Sequence, residues 1–223
     1  MGKLKTGDEH ITFDDMPIGY LLRDYWAWNS SNLLNNTLRG SFCEFIVSSA
    51  LEIDLSEATN ADWGPYDVTF PYEWHDKDGK HDIVRIEVKS CAYLQAWEQK
   101  QLSNILFSIR PTRAWDSLGG YSDEVKRQSD AYVFCLYTVK NREEADPLKL
   151  EGWTFYIVST QKINEVCGPQ KTISLSALKA LDPIEADYLG IKEAIIQCIK
   201  IQSDKTTPPP PSFCIIYVYY FCA

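Results

Sequence analysis

The stretch Arg85-Ile86-Glu87-Val88-Lys89-Ser90-Cys91 narrows the fold of this chain more than any other. It reads as a buried strand. Successive side chains of a strand alternate between its faces, so Ile86 and Val88 share one side and Glu87 and Lys89 the other. Burying a carboxylate and an ammonium is costly unless partners or a metal satisfy them. The surrounding sequence has to supply that compensation.

The nearest supplier is the segment just upstream. "WGPYDVTFPYEW" reads as a short strand entered through a Gly-Pro turn, and "HDKDGKH" as a turn with Asp78-Gly79 at its tip. Residues 66–74 and 82–90 then form an antiparallel hairpin. Its arithmetic pairs Asp67 with Lys89 and Phe70 with Ile86, which puts Asp67 opposite or diagonal to Glu87 and Lys89. Two carboxylates and a lysine converge at one end of a sheet. Such carboxylates suit Mg²⁺, which takes oxygen ligands and keeps several waters. The cation could polarise a phosphate and acidify a bound water, and a lysine beside it could orient that water. A metal and a phosphate would complete the charge balance that the strand requires.

Helical spacing and strand patterns organise the rest. "FDDMPIGYLLRDYWAWNSSNLL" predicts a helix starting after Asp14 or Asp15, with Pro17 in its first turn and an apolar face of Leu21, Leu22, Tyr25, Trp26 and Trp28. "NNTLRGSFCEFIVSSALEI" predicts a second helix, capped near Asn36 or Thr37. Gly40 inside it suggests a close packing contact or a close approach to a ligand. "AYLQAWEQKQLS" fits a helix or an ordered loop, "ILFSIRP" an extended segment, and "YSDEVKRQ" a short polar helix or loop. "DAYVFCLYTV" and "WTFYIVST" are two strongly apolar strands. "STQKINEVCG" predicts a helix closing on Gly168, "TISLSALKAL" a strand running into a helix capped by Ser176, and "EADYLGIKEAIIQCIK" a closing amphipathic helix.

With 223 residues the chain is long enough for one substantial α/β domain. That domain is expected over residues 1–205, with an N-terminal helical extension. Residues 206–223 form a proline-rich spacer and a hydrophobic tail. Pro208 to Pro211 make a stiff extended linker, and the run from Phe213 to Ala223 is too short to span a bilayer as a helix. That run reads as an extra strand on this domain or a neighbouring copy, a partner-binding or anchoring segment, or a terminus foreign to the fold. The net charge of −9 argues against a protein that coats nucleic acid non-specifically. An enzyme acting on nucleic acid would need a local basic patch, while its acidic residues could hold cations. The 7 cysteines are odd in number and lack C-x-x-C spacing, so they read as reduced, buried thiols of a cytoplasmic protein. The polar start of the sequence carries no signal-peptide core, and no membrane association is expected.

Asp67, followed by Glu87-Val88-Lys89 on the next strand, resembles the signature of the PD-(D/E)XK nuclease superfamily. "LRGSFCEF" resembles the superfamily's first core helix, with Glu44 at the position that faces the metal. "SCAYLQAWEQ" resembles the Gln- and Tyr-bearing segment after the E-x-K strand. The likeness covers roughly residues 35–160. It departs at Tyr66, where the family's proline would precede the aspartate; here the proline is Pro65.

The resemblance implies an α/β, restriction-endonuclease-like fold, a central mixed sheet flanked by helices with an αβββαβ core. It implies Mg²⁺- or Mn²⁺-dependent hydrolysis of phosphodiesters, most readily a DNA endonuclease of restriction, defence or repair, with RNA as the alternative substrate. Asp67, Glu87 and the Val88 carbonyl would ligate the metal, Glu44 would bind a second cation or a metal water, Lys89 would position the attacking water, and Gln95 would orient Lys89 or a phosphate. One site cuts one strand, so double-strand cleavage needs a homodimer or two events. The rival readings are a catalytically inactive nucleic-acid-binding module and an assembly subunit of a larger complex.

Candidate nucleic-acid contacts are Arg39, Tyr93 and Lys100. Arg39 either pairs with Glu44 or meets a phosphate. Tyr93, Trp97 and Trp115 either stack on bases or pack at the core rim. Lys100, Arg110, Arg113, Lys126 and Arg127 form either a basic rim or scattered surface charges. His75 and His81 flank the Asp78-Gly79 turn without a nearby cysteine, and read as polar turn residues rather than a zinc site. No P-loop, G-x-S-x-G or dinucleotide fingerprint is present.

Overall fold

The computed structural model describes residues 4–56, 64–76, 78–116 and 120–206. The chain opens with a hairpin, β1 (His10–Phe13) and β2 (Met16–Leu21), followed by α1 (Leu22–Ser30). The helix expected from Asp14 or Asp15 therefore begins only at Leu22. Asp14 and Asp15 both take the left-handed conformation, with φ of 48° and 60°, and make a tight two-residue turn. Aspartate tolerates that region, which matches the twist of a hairpin. Next comes α2 (Asn36–Ala50). Its cap is Asn35, one residue before the expected position, whose side chain accepts the Thr37 and Leu38 N–H groups at 3.0 and 3.3 Å. A Cβ on Gly40 would meet open space, so the close contact expected there is not made.

The long hairpin is β3 (Val68–Asp76) with β4 (Gly79–Ala92). Val68 pairs with Ile86 and Phe70 with Val84, two residues from the expected register. The strands run to the very tip, where Asp76 Oδ1 accepts the Asp78 and Gly79 N–H groups, and the register shifts between Pro71 and Trp74. A two-residue slip leaves every side chain on its original face, so the alternation read from the sequence survives it.

The connection after β4 is an ordered loop leading to β5 (Leu106–Ser108), then to a second small hairpin, β6 (Thr112–Asp116) with β7 (Gly120–Lys126). The segment read as a short polar helix or loop is thus strand β7. Its polar side chains face solvent on an isolated ribbon. The remaining elements are β8 (Ala131–Tyr137), β9 (Trp153–Ser159), α3 (Thr160–Cys167), β10 (Thr172–Ser174), α4 (Leu175–Ala180), β11 (Ile184–Ala186) and α5 (Ile191–Thr206). The cap of α4 is Ser174 rather than Ser176: its Oγ accepts the Ala177 N–H at 3.2 Å. The proline spacer and hydrophobic tail, with Cys214 and Cys222, lie outside the described residues.

Five strands form the central sheet in the order β11-β9-β8-β4-β3, and only the β4–β8 pair is parallel. Every residue of β8 is buried, as expected of a strand covered on both faces. On one face, Cys43, Ile46 and Val47 of α2 and Ile195 and Ile199 of α5 pack over Val84, Ile86, Val88 and Val133. On the other, Phe107, Ile163, Ile173 and Leu178 cover Tyr132, Phe134 and Leu136. Among the described residues Cys43, Cys135, Cys167 and Cys198 are buried as expected, whereas Cys91 is only half-buried, and none of the five forms a disulfide. Among the described residues no helix is long and apolar enough to cross a membrane.

The protein is therefore α/β, with a mixed central sheet and helices. Its element order departs from αβββαβ. Two strands, β3 and β4, precede the crossover, and among the described residues that crossover carries β5 and the β6–β7 ribbon where a helix was expected. The N-terminal extension is likewise a hairpin plus a helix.

Candidate functional site

The site grows from the alternation of β4. Ile86 and Val88 point into the core under α2 and α5, which forces Glu87 and Lys89 to the opposite face. The parallel register sets Glu87 beside Tyr132 and Lys89 beside Phe134. That register is locked by Asp130, whose buried carboxylate accepts the Arg85 backbone N–H at 2.8 Å, Nε at 2.9 Å and Nη2 at 2.5 Å. A bidentate pair of this kind fixes geometry as well as charge.

Asp67 lies one residue before β3 begins. Its N–H donates to the Ile86 carbonyl at 3.0 Å, and its Oδ2 accepts the Val88 N–H at 2.7 Å. The side chain thus takes over where the backbone ladder ends. Lys89 Nζ lies 2.5 Å from Glu87 Oε1 and 3.4 Å from Asp67 Oδ2, so one ammonium bridges both carboxylates. All three side chains keep only about a quarter of their surface exposed. The expected convergence of Asp67, Glu87 and Lys89 is present.

The electrostatics follow from burial and from this crowding. Burial pushes the Glu87 carboxyl above the usual glutamate range; Lys89 opposes the shift, and the Asp67 and Glu44 charges add to it. For Lys89, burial works against the charged form, but the Glu87 and Asp67 carboxylates outweigh it and hold the ammonium above the usual lysine value. The Tyr132 phenol is raised by burial first and then by the neighbouring Glu87 charge. Tyr132 was not singled out in the sequence, because only the β4–β8 register brings it beside Glu87.

The other expected residues are placed as follows. Glu44 sits half-buried on α2, near enough for its charge to act on Glu87. Gln95 is buried, and its Nε2 donates to the Ala92 carbonyl and the Ser103 hydroxyl, each at 3.1 Å. It shapes the loop after β4 instead of holding Lys89. Arg39 is buried too: its guanidinium donates to the Leu34 carbonyl at 3.0 Å and Asn36 Oδ1 at 2.7 Å, securing the first turn of α2. Arg127, expected on a basic rim or as a scattered surface charge, is an interior strut that donates to the carbonyls of Ile109, Gly168 and Gln170 and to Asn164 Oδ1. Tyr93 is half-buried, with Lys140 Nζ 4.7 Å from its ring centre. Lys100, Arg110, Arg113 and Lys126 are exposed, and Trp97 and Trp115 project into solvent. His81 stacks on Trp74 and bonds to Asp76, so the turn-flanking reading fits it.

Among the described residues, no group of three or more His, Cys, Asp and Glu side chains is arranged to hold a metal ion. Asp67 and Glu87 offer hard oxygen donors, which fit a magnesium-class cation that keeps most of its waters. They do not form a closed protein cage. Comparison with family models, with curated proteins and with solved structures found no match for the chain.

Proposed function

We propose that the protein is a Mg²⁺- or Mn²⁺-dependent nuclease of the PD-(D/E)XK type, with DNA as its substrate. The observation that supports this reading is the single ammonium of Lys89 set against both Asp67 and Glu87 at the open end of β3. A cation held by Asp67 and Glu87 would supply Lewis-acid polarisation of a phosphate oxygen and an acidified water. Lys89 would then turn its protons toward that water or a phosphate oxygen, since an ammonium donates and cannot ligate. The Val88 N–H would keep the Asp67 carboxylate aimed while the substrate binds. Trp97 and Lys100, exposed on the loop that follows β4, would meet the nucleic acid beside the site.

A second reading, a non-catalytic nucleic-acid-binding or assembly module, is favoured by the lack of a third side-chain donor among the described residues. One experiment separates the two. The protein is incubated with circular DNA, linear DNA and RNA in Mg²⁺, Mn²⁺ or chelator, alongside Asp67→Asn. Metal-dependent cutting of circular DNA by the parent and not by the variant supports the nuclease. Metal binding without cleavage of any substrate supports the module.

A further inference from the structure

The β6–β7 ribbon stands apart from the sheet that carries the site. It leaves the body after β5, forms a two-stranded sheet joined to no other strand, and returns at Lys126 just before β8 opens at Ala131. Among the described elements its strands pack chiefly on each other. A lone ribbon is marginal in water, yet this one is secured at its root. Gln128 Nε2 donates to the Thr112 and Lys126 carbonyls at 2.9 and 3.3 Å and ties the two strands together, while Arg127 clamps the root to the Ile109 carbonyl at 2.8 Å. Further out, Ser122 Oγ accepts the Ala114 N–H and donates to the Glu124 carbonyl, each at 3.1 Å, across the bulge between Arg113 and Trp115. A bulge of this kind adds right-handed twist.

The two faces of the ribbon differ. Arg113 pairs with Val125 and Trp115 with Tyr121, so alternation along both strands puts these four on one side. Trp115 is 41% exposed, Val125 57% and Tyr121 64%. Arg113, Tyr121 and Val125, with Arg110, Pro111 and Thr112 at the root, line an open cleft of 480 Å³. Among the described residues neither Arg110 nor Arg113 makes an ion pair, whereas Lys126, on the other face, is held by Glu124 at 2.6 Å. Even with Asp123, exposed in the bulge, counted on the Arg113 side, the described side chains leave that side net positive in a chain of net charge −9.

We propose that this ribbon reads the sequence of duplex DNA, its Arg113 face lying in the major groove. The inference rests on the nuclease reading and adds to it the element that selects where the duplex is engaged. Charge and shape choose the occupant. Two unpaired guanidiniums call for a polyanion rather than an apolar protein surface, and the major groove, ~12 Å wide and ~8.5 Å deep, admits a two-stranded ribbon. Arg113, in the middle of β6, donates to base edges, where a guanidinium fits the O6 and N7 acceptors of guanine. Val125 beside it supplies apolar contact of the kind thymine methyl groups accept, and Arg110, at the root, meets a phosphate that sets the register. Position agrees with this. Tyr132, just after β8 opens, sits beside Glu87, and its phenol, raised first by burial, lies within electrostatic reach of both Glu87 and Arg127. The root of the ribbon thus borders the Lys89 site, and a duplex held by the ribbon is presented next to it.

The test measures binding in chelator, apart from cleavage. The full chain is first used to enrich a pool of duplex oligonucleotides with a randomised core. Fluorescence anisotropy then compares the parent, Arg110→Ala and Arg113→Ala on the enriched duplex, on unselected duplex and on the separated strands. The parent should enrich one sequence and prefer its duplex. Arg113→Ala should weaken that binding ~10-fold or more and relax the preference at one base pair. Arg110→Ala should weaken all duplexes alike and lower the salt slope by about one. Both side chains are exposed, so the melting transition of the body should stay where it is. A parent that enriches no sequence, or that binds single strands as tightly as duplex, overturns the proposal. So does an Arg113→Ala protein that keeps the preference of its parent. Selective duplex binding through Arg113 in a chain that never cuts keeps the ribbon and removes the nuclease. Metal-dependent cutting without sequence preference keeps the nuclease and removes the ribbon.

Discussion

Asp67 Oδ2 accepts the Val88 N–H at 2.7 Å, a carboxylate completing the strand ladder at the point where β3 begins. The same group therefore has a structural and a proposed chemical role, and two substitutions separate them. Asp67→Asn keeps an oxygen acceptor for Val88 and should change stability by less than ~0.5 kcal/mol. Asp67→Ala leaves the N–H without its partner and should cost about 1–3 kcal/mol. Both should weaken Mn²⁺ binding, because both remove the charge. Chemical denaturation and calorimetry read the two effects independently; unchanged Mn²⁺ affinity in Asp67→Asn would remove Asp67 from the ligand set.

Asp76 gives an acid-stability prediction. Burial opposes its ionisation, but His81 and the Asp78 and Gly79 N–H groups outweigh burial and hold the carboxyl below its usual range. A carboxyl with a depressed folded value stabilises the protein above the ordinary aspartate range, and that stability is lost as the pH falls through the folded value. Asp76→Asn should therefore lower the melting temperature at neutral pH and converge with the parent in strong acid. A constant difference at every pH would assign the effect to packing instead.

Arg127, expected on a basic rim or among scattered surface charges, instead joins the segment after β5, α3 and the turn that follows it through four acceptors. Arg127→Met should cost about 2–4 kcal/mol, since it leaves the buried Ile109 carbonyl and three part-buried acceptors unpaired. Arg127→Lys should restore only part, because a single ammonium cannot reproduce the planar fork. Urea titration of the three proteins checks the order.

These cases show where the sequence was readable. The alternation of Ile86, Glu87, Val88 and Lys89 is a local pattern, and it carried the site because a two-residue register slip preserves faces. The strands β8 and β9 were equally plain, since their apolar runs permit little else. The N-terminal hairpin was missed because helix-like spacing of Leu22, Tyr25 and Trp26 was extended back over a turn that depends on left-handed aspartates. Strand β7 was missed because an exposed ribbon has no buried face to impose alternation. The roles of Arg127 and Asp130 were hidden for another reason: their partners are distant in sequence and meet only through sheet register and loop packing.

Lys89 decides between charge balance and catalysis. Its ammonium offsets two carboxylates, one of which already titrates high because of burial. Lys89→Ala should raise the Glu87 value further. A glutamate whose folded value is raised costs stability above that value, so the variant should be less stable than the parent at neutral pH and recover as the pH falls toward the ordinary glutamate range. Metal binding should persist or tighten, since a nearby like charge is gone. Cleavage should fall by at least ~10²-fold, the scale of a positioned acid–base or electrostatic group. Lys89→Arg should not recover it fully, because the guanidinium cannot occupy the compact site of the ammonium. Melting curves across pH, Mn²⁺ calorimetry and initial cleavage rates supply the three readouts. A Lys89→Ala protein that cuts as fast as its parent at saturating Mg²⁺ would leave the residue with a structural role alone and remove the main support for the nuclease reading.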